Sequence, residues 1–190
     1  AAENIGYRVG FTISMAAVAH LGATELATHA YVTQVGLAAL MFGLTAGLSV
    51  EIMVGQLIGA GRLQQAHALV RRALARGLLV SVVVTGLAAL FGPLLLRLFS
   101  ADPAIVRLGS VLLWWTVLLE PGRTFNLVVI NALRATGDAR YPVLAGAASM
   151  ALVLAGGSWF LGVYLGLGLV GIWIAYAADE WIRGLLMWRR

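Results

Sequence analysis

The chain has 190 residues, of which 61% are hydrophobic and 11% are charged, and its mean hydropathy is +0.93. A soluble domain carries about 45–50% apolar and about 25% charged residues, so this composition excludes a cytosolic enzyme and a nucleic-acid-binding domain. The net charge of +5 arises from 13 Arg residues, with no Lys, that lie mostly at the ends of apolar runs. The composition therefore predicts an integral membrane protein without a nucleic-acid partner.

Six apolar runs of the chain are long enough to cross a membrane. A helix that crosses about 30 Å of hydrocarbon needs roughly 20 apolar residues. The runs predict an all-α fold, a polytopic bundle of six transmembrane helices at approximately 3–21, 29–58, 74–97, 105–133, 142–164 and 169–187. The alternation typical of membrane β-strands is absent from these runs. They predict one lobe over residues 1–190, and the start without Met suggests that the lobe is a piece of a longer protein.

Arginine is distributed unevenly between the two sides of the predicted bundle. An even number of spans places both ends on one side, together with the connections near residues 58–77 and 134–140. This side holds Arg8, Arg62, Arg71, Arg72, Arg76, Arg134, Arg140, Arg183, Arg189 and Arg190, whereas the other connections hold Arg97 and Arg107. Because cytoplasmic loops are enriched in basic residues, we predict a multi-pass protein of the plasma or inner membrane with both ends of the chain cytoplasmic. The basic residues 66–77 are expected to contact anionic membrane lipid.

A charged pair is predicted near the middle of the fourth span. Glu120 and Arg123 are three positions apart and share one helical face, where an unpaired charge costs about 2.5–3.5 kcal/mol. Between them, Pro121 cannot donate to the carbonyl of Val117 and Gly122 loosens the same turn, which predicts a kink or gate. Two interpretations stay open: a buried ion pair that orients helices, or a proton, cation or substrate site beside a cavity.

Other polar residues extend the predicted substrate or ion path, which comprises Glu120, Arg123, Asn126, Asn131 and Gln34. In the last span, Asp179 and Glu180 precede Arg183, which indicates local charge pairing. His20, His29 and His67 are interpreted as structural residues, and no metal site is predicted. The chain contains no metalloprotease, serine-nucleophile or P-loop motif, so we predict neither an enzyme nor a cofactor. The spacing of Gly55 and Gly59 predicts tight helix packing.

Four segments together resemble the multidrug and toxic compound extrusion (MATE) family, and they cover essentially the whole chain. In chain order they are residues 21–29 (LGATELATH), 54–62 (VGQLIGAGR), 133–142 (LRATGDARYP) and 168–175 (GLVGIWIA). Two of them resemble cytoplasmic connections of the family, with the motif residues Gly55, Gln56, Gly59, Gly61, Arg62, Arg134, Gly137 and Asp138.

The resemblance implies that the chain is the C-terminal lobe, helices seven to twelve, of a twelve-helix antiporter. Such a protein expels cationic or amphipathic organic compounds in exchange for H⁺ or Na⁺ by alternating access, and its partner would be the missing N-terminal six-helix lobe. Glu120 would then bind a cation or proton, while Arg123 holds it in register.

The chain departs from the family pattern at two acids. Arg123 occupies the position where sodium-type members carry an acid, and Glu120 lies one turn earlier; residues 7–9 lack the acid of the seventh helix. The coupling ion therefore stays open between H⁺ and Na⁺. Two alternative functions are a lipid-linked oligosaccharide flippase of the same superfamily and a non-transporting membrane scaffold subunit.

Overall fold

The computed structural model describes the backbone of residues 2–190 and the side chains from Arg8 onward. Within this range the chain forms helices and no strand, which confirms the predicted all-α fold. The helices are α1 (Ala2–Leu21), α2 (Ala23–Gly59), α3 (Leu63–Leu90), α4 (Gly92–Arg97), α5 (Pro103–Ala135), α6 (Arg140–Tyr164) and α7 (Gly168–Trp188). Helix α6 starts as an α-helix and continues through two π-helical stretches, Met150–Ala155 and Ser158–Tyr164.

Among the described residues, four helices are long and apolar enough to cross a membrane: α2, α3, α5 and α6. The described part of α1, Arg8–Leu21, is a shorter apolar helix. Helix α7 has 21 residues but carries Asp179, Glu180 and Arg183 in its middle, and these charges lower its hydropathy. The bundle therefore contains six long helices, of which α5 and α7 place charged side chains inside the protein.

The helices extend beyond the predicted spans at several ends. Helix α2 begins at Ala23 and α3 at Leu63, because helical structure continues past the apolar run into polar residues that hydropathy alone does not count. The predicted third span, residues 74–97, is divided at Phe91 into α3 and the short helix α4. Pro93 lies in the first turn of α4, where its missing N–H interrupts no helical hydrogen bond.

Helix α5 is the centre of the bundle and packs against α2, α3 and α7. Glycines of the neighbouring helices face it closely. A Cβ atom on Gly47 of α2 would lie 2.6 Å from Asn131 Nδ2, and one on Gly184 of α7 would lie 2.3 Å from Phe125 Cδ1. Small residues let helices approach closely in a membrane protein, so these contacts place the polar residues of α5 against α2 and α7.

Gly55 and Gly59 do not pack tightly against another helix within the described residues. No atom of the described residues lies within 4 Å of a Cβ built on either glycine. The glycines of α2 that contact α5 are Gly43 and Gly47. Because each i+4 step turns about 40° around a helix, Gly55 lies about 80° away from the Gly47 direction and has left the contact face.

We expect Gly47→Ala to lower the free energy of unfolding by about 1–2 kcal/mol, because overpacking a close contact strains its neighbours. The added methyl group would meet the Asn131 amide and lie 3.0 Å from the Leu127 carbonyl oxygen. The matched control is Gly55→Ala on the same helix, which meets no neighbour and is expected to be neutral or stabilising. Thermal unfolding of the purified protein in detergent measures both, and equal melting temperatures would contradict the packing described.

Candidate transport site

Charged side chains from α5 and α7 form one continuous cluster inside the bundle. Arg123 is at its centre: its Nη1 donates to Glu120 Oε1 at 2.5 Å and its Nε donates to Glu180 Oε1 at 3.2 Å. The first contact lies within α5, whereas the second joins α5 to α7 across 57 residues of sequence. The predicted Glu120–Arg123 pair is therefore one end of a larger network.

The other end of the network lies on α7. Arg183 Nη2 lies 2.7 Å from Asp179 Oδ2 and 3.1 Å from Glu180 Oε2. Ser149 Oγ on α6 donates to Asp179 Oδ1 at 2.6 Å. These contacts connect α5, α6 and α7, because the α7 acids take partners from both neighbouring helices.

The cluster is buried and carries more acids than bases. Glu120 is 3% exposed, Asp179 0%, Glu180 7% and Arg183 7%. Among the described side chains, three carboxylates face two guanidinium groups, so these five groups carry one net negative charge when all are ionised. An unpaired buried charge is strongly unfavourable. One further positive charge, such as a proton or a bound cation, would balance the cluster.

Two small cavities are lined by Arg123. The larger, about 60 Å³, is lined by Glu120 and Arg123 and by residues of α1, α2 and α7 that include Phe11, His29, Thr33 and Tyr176. The smaller, about 30 Å³, is lined by Arg123, Asp179, Glu180 and Arg183 together with Phe11, Met150, Leu154 and Tyr176. About 10–15 Å³ suffices for one water molecule, so each cavity has room for water beside a carboxylate.

The remaining residues of the predicted path lie in three different environments. Asn126 joins the cluster, because its Nδ2 donates to Glu180 Oε2 at 2.9 Å. Asn131 is buried, but its Nδ2 donates to the Leu127 carbonyl at 2.7 Å, within its own helix. Gln34 is exposed on α2, and the neighbouring Thr33 lines the larger cavity instead. The structure therefore brings together Glu120, Arg123 and Asn126 but not Asn131 or Gln34.

Helix α5 continues through Pro121 and Gly122 as one helix of 33 residues. Trp181 of α7 contacts this turn: its Nε1 donates to the Leu118 carbonyl at 2.9 Å. A Cβ on Gly122 would lie 2.6 Å from the same nitrogen, so the glycine makes room for the indole.

The first of the two predicted loop motifs is mostly helical. Gly55, Gln56 and Gly59 lie in the last turns of α2, and only residues 60–62 connect α2 to α3. The prediction of a loop at these three residues is therefore corrected, because the apolar pair Leu57–Ile58 continues the helix. Gly61 has φ +71°, a conformation that glycine adopts without strain.

The second loop motif connects α5 to α6 and contacts the end of α7. Arg134 lies in the last turn of α5, and Gly137 has φ +89°. Asp138 Oδ1 accepts a hydrogen bond from the Tyr141 backbone N–H at 3.3 Å, and Arg190 Nε donates to Asp138 Oδ2 at 2.9 Å. These hydrogen bonds, that of Arg190 above all, lower the pKa of Asp138 below its ordinary value.

The structure extends the role of one residue beyond its predicted local pairing. Glu180 also accepts hydrogen bonds from Arg123 and Asn126 of α5. Two acids beside one Arg in the last span are the signal that indicates an outside partner. His29, which the sequence predicts as structural, lines the larger cavity and contacts the Trp173 ring edge-on at 5.0 Å. The side chain of Tyr7, in the stretch that lacks the acid of the seventh helix, lies outside the described residues.

Comparison with known proteins identifies the family. The family model MatE matches residues 1–160. The Uncharacterized transporter YisQ of Bacillus subtilis (strain 168) is 36% identical over 190 residues, which are 100% of this chain and 42% of that protein. The Probable multidrug resistance protein NorM of Idiomarina loihiensis is 24% identical over 95% of this chain and 43% of its own length.

Solved structures show the same fold. A multidrug resistance MATE family transporter of the MOP superfamily, in an outward-facing conformation, superposes with a TM-score of 0.84 and 22% identity, over 98% of this chain and 41% of that chain. A MOP superfamily transporter from Pyrococcus furiosus superposes with a TM-score of 0.80 and 22% identity, again over 98% and 41%. The chain thus spans about two fifths of the length of these relatives. Because the family model covers most of its residues and the fold agrees, the chain belongs to the MatE family, a family of membrane transporters.

Proposed function

We propose that the chain is the C-terminal lobe of a two-lobe secondary active antiporter. It would expel cationic or amphipathic organic compounds in exchange for H⁺ or Na⁺ by alternating access. The multidrug resistance relatives and their greater length support this proposal. The observation that carries it is the buried cluster of three carboxylates and two guanidiniums, which is one positive charge short of neutrality beside a cavity.

Glu120 is the residue through which the coupling would act. Its Oε1 accepts from Arg123, whereas its Oε2 is buried without a hydrogen-bond partner among the described residues. A proton or cation at Glu120 would weaken the ion pair between Glu120 and Arg123. Arg123 would then interact mainly with Glu180 on α7. The contact between α5 and α7 then depends on the occupancy of Glu120. If a cationic compound and the coupling ion cannot be bound together, each favours release of the other.

The acid excess also bears on the two alternative functions. A flippase for lipid-linked oligosaccharides would need a strongly cationic cavity for diphosphate groups, whereas the larger cavity combines one Arg with one Glu. A cavity beside surplus negative charge favours cationic cargo. A scaffold subunit would use the cluster only to hold helices together, and it would tolerate any replacement that preserves their packing.

We expect Glu120→Gln in the full two-lobe transporter to lower extrusion of a fluorescent organic cation by at least about fivefold, the lower end of typical coupling energies. Gln keeps the shape of the side chain but cannot exchange a proton or bind a cation by its charge. Efflux is measured in proteoliposomes under an imposed pH or Na⁺ gradient. The matched control is Glu51→Gln on α2, a half-buried glutamate outside the cluster.

Wild-type efflux by the Glu120→Gln protein, with unchanged dependence on pH and Na⁺, would remove Glu120 from the mechanism. Equal losses in Glu120→Gln and Glu51→Gln would indicate a general defect. Loss of only the pH response, or of only the Na⁺ response, would identify the coupling ion.

A further inference from the structure

Arg123 lines two cavities, and each of them is also lined by at least one carboxylate. Glu120 lines the larger cavity, Asp179 and Glu180 line the smaller one, and Arg123 lines both. The proposed function uses only the side of Glu120. The acids on the side of α7 are as deeply buried as Glu120 and lie on a different cavity, so their chemistry needs an explanation of its own.

The three carboxylates differ in how many donors hold them. Glu180 accepts from Arg123 Nε and Asn126 Nδ2 and also lies 3.1 Å from Arg183 Nη2. Hydrogen bonds from donors favour the ionised carboxylate, so Glu180 is the acid least able to accept a proton. The proton that neutralises the cluster is therefore expected to bind to Glu120 at one end or to Asp179 at the other.

Asp179 lies against a partner that fits either protonation state. Its Oδ1 accepts from Ser149 Oγ at 2.6 Å. A hydroxyl group both donates and accepts, so the same pair can reverse its polarity when Asp179 carries a proton. Among the described residues, the charged and titratable groups around Asp179 are Glu180, Arg183 and Tyr176 on α7 and Arg123 on α5. Helix α6 contributes the hydroxyl of Ser149, and the described part of α1 contributes the uncharged Phe11.

The arrangement suits a proton better than a metal cation. A metal cation requires several oxygen ligands that converge on one point, and among the described residues no group of three or more His, Asp or Glu side chains converges in this way. Asp179 and Glu180 are both held by Arg183. A proton needs one carboxylate oxygen, and Glu120 Oε2 and Asn126 Oδ1 are buried atoms without a hydrogen-bond partner among the described residues.

We propose that Asp179 is a second proton site of the transporter and that it alternates with Glu120. When the Asp179 carboxylate takes up a proton from water in the smaller cavity, Glu120 releases its own proton to water in the larger cavity. The cluster then always holds one proton, three carboxyl groups and two guanidiniums, and stays neutral. This inference rests on the proposed function and adds to it a route by which one proton enters and one leaves through different cavities beside Arg123.

The experiment is infrared difference spectroscopy of the full transporter between neutral and alkaline pH, which detects the C=O band of protonated carboxyl groups. We expect the wild-type spectrum to contain a band equivalent to one buried carboxyl group. Glu120→Gln and Asp179→Asn are each expected to lose that band, because two carboxylates then face two guanidiniums and no proton is needed. Ser149→Ala keeps the charge of the cluster but removes the hydroxyl that contacts Asp179 Oδ1, so it is expected to shift only the part of the band that arises from protonated Asp179. Glu51→Gln is the control and should keep the wild-type band.

A thermal unfolding series tests the same charge balance without optics. Each single variant, Glu120→Gln or Asp179→Asn, is expected to unfold within a few degrees of the wild-type protein. The double variant leaves one carboxylate against two guanidiniums. We expect its melting temperature to fall by clearly more than the sum of the decreases in the two single variants. If the decrease in the double variant equals the sum of the two single decreases, the proposal that Glu120 and Asp179 share one proton is overturned.

The outcomes separate this inference from the proposed function. If Ser149→Ala leaves the position and intensity of the band unchanged while Glu120→Gln loses the band, Glu120 alone holds the proton; the inference is then overturned while the proposed function stands. If neither Glu120→Gln nor Asp179→Asn changes the band, the cluster holds no exchangeable proton and the inference is also overturned. If Ser149→Ala shifts part of the band and both carboxyl substitutions remove it but efflux is unchanged, the inference stands and the proposed coupling fails.

Discussion

Replacing Arg183 by Gln is expected to lower the free energy of unfolding by about 3–5 kcal/mol, the usual cost of removing one partner from a buried ion pair. Arg183 is 7% exposed and lies within 3.1 Å of oxygens of both Asp179 and Glu180. Without it, three buried carboxylates face one guanidinium. Chemical or thermal unfolding of the purified transporter in detergent measures the loss.

The matched control is Arg190→Gln near the same end of the chain. Arg190 also forms an ion pair, with Asp138 at 2.9 Å, but this pair is exposed. Exposed pairs contribute little, because water screens them, so we expect an unchanged melting temperature. If both substitutions have the same effect, burial does not govern the cost.

A second substitution tests whether the effect of Arg183→Gln is electrostatic. Adding Asp179→Asn to Arg183→Gln removes one positive and one negative charge together and restores the original balance of the cluster. We expect this double variant to recover most of the lost stability. No recovery would show that Arg183 acts through packing of its side chain and not through its charge.

Gly171→Ala is expected to cost about 3 kcal/mol, the upper end for overpacking. A Cβ at this position would lie 2.6 Å from the backbone carbon and oxygen of Leu161 and 2.9 Å from the backbone nitrogen of Gly162. A flexible side chain could move aside, but a backbone cannot, so α7 would have to shift away from the π-helical end of α6.

The control for Gly171→Ala is Gly146→Ala on α6, which meets no described atom within 4 Å. Alanine favours a helix interior over glycine by about 1 kcal/mol, so this variant is expected to be neutral or more stable. Both are measured by thermal unfolding of the purified protein. A Gly171→Ala protein as stable as Gly146→Ala would contradict the close approach of α6 and α7.

The predictions that agree with the structure come from the apolar runs and from the i, i+3 spacing of two charged residues on one helix. The runs predict an all-helical bundle because a membrane helix must be apolar over most of its length. The i, i+3 spacing of Glu120 and Arg123 predicts their contact, which depends only on the geometry of one helix. Helix ends were less predictable, since α2 and α3 begin in polar residues outside the apolar runs.

Which polar residues reach the buried cluster depends on how a helix is rotated about its axis. Thr33 lines the larger cavity and the adjacent Gln34 does not, although both are polar. Gly43 and Gly47 contact α5, whereas Gly55 does not, although all three are glycines of α2. Composition and spacing show which residues share a face, but the packing of neighbouring helices decides where that face points.

The sequence by itself determined the membrane location of the protein, its helical fold, its family and the pair formed by Glu120 and Arg123. These follow from composition, from local motifs and from contacts within one helix. Only the tertiary structure decided that Glu180 meets Arg123 across 57 residues of sequence, and that the acids of α7 belong to the same buried cluster. The physical reason is that a charge balance between helices depends on which side chains are brought together. That depends on close approach at positions such as Gly47 and Gly184.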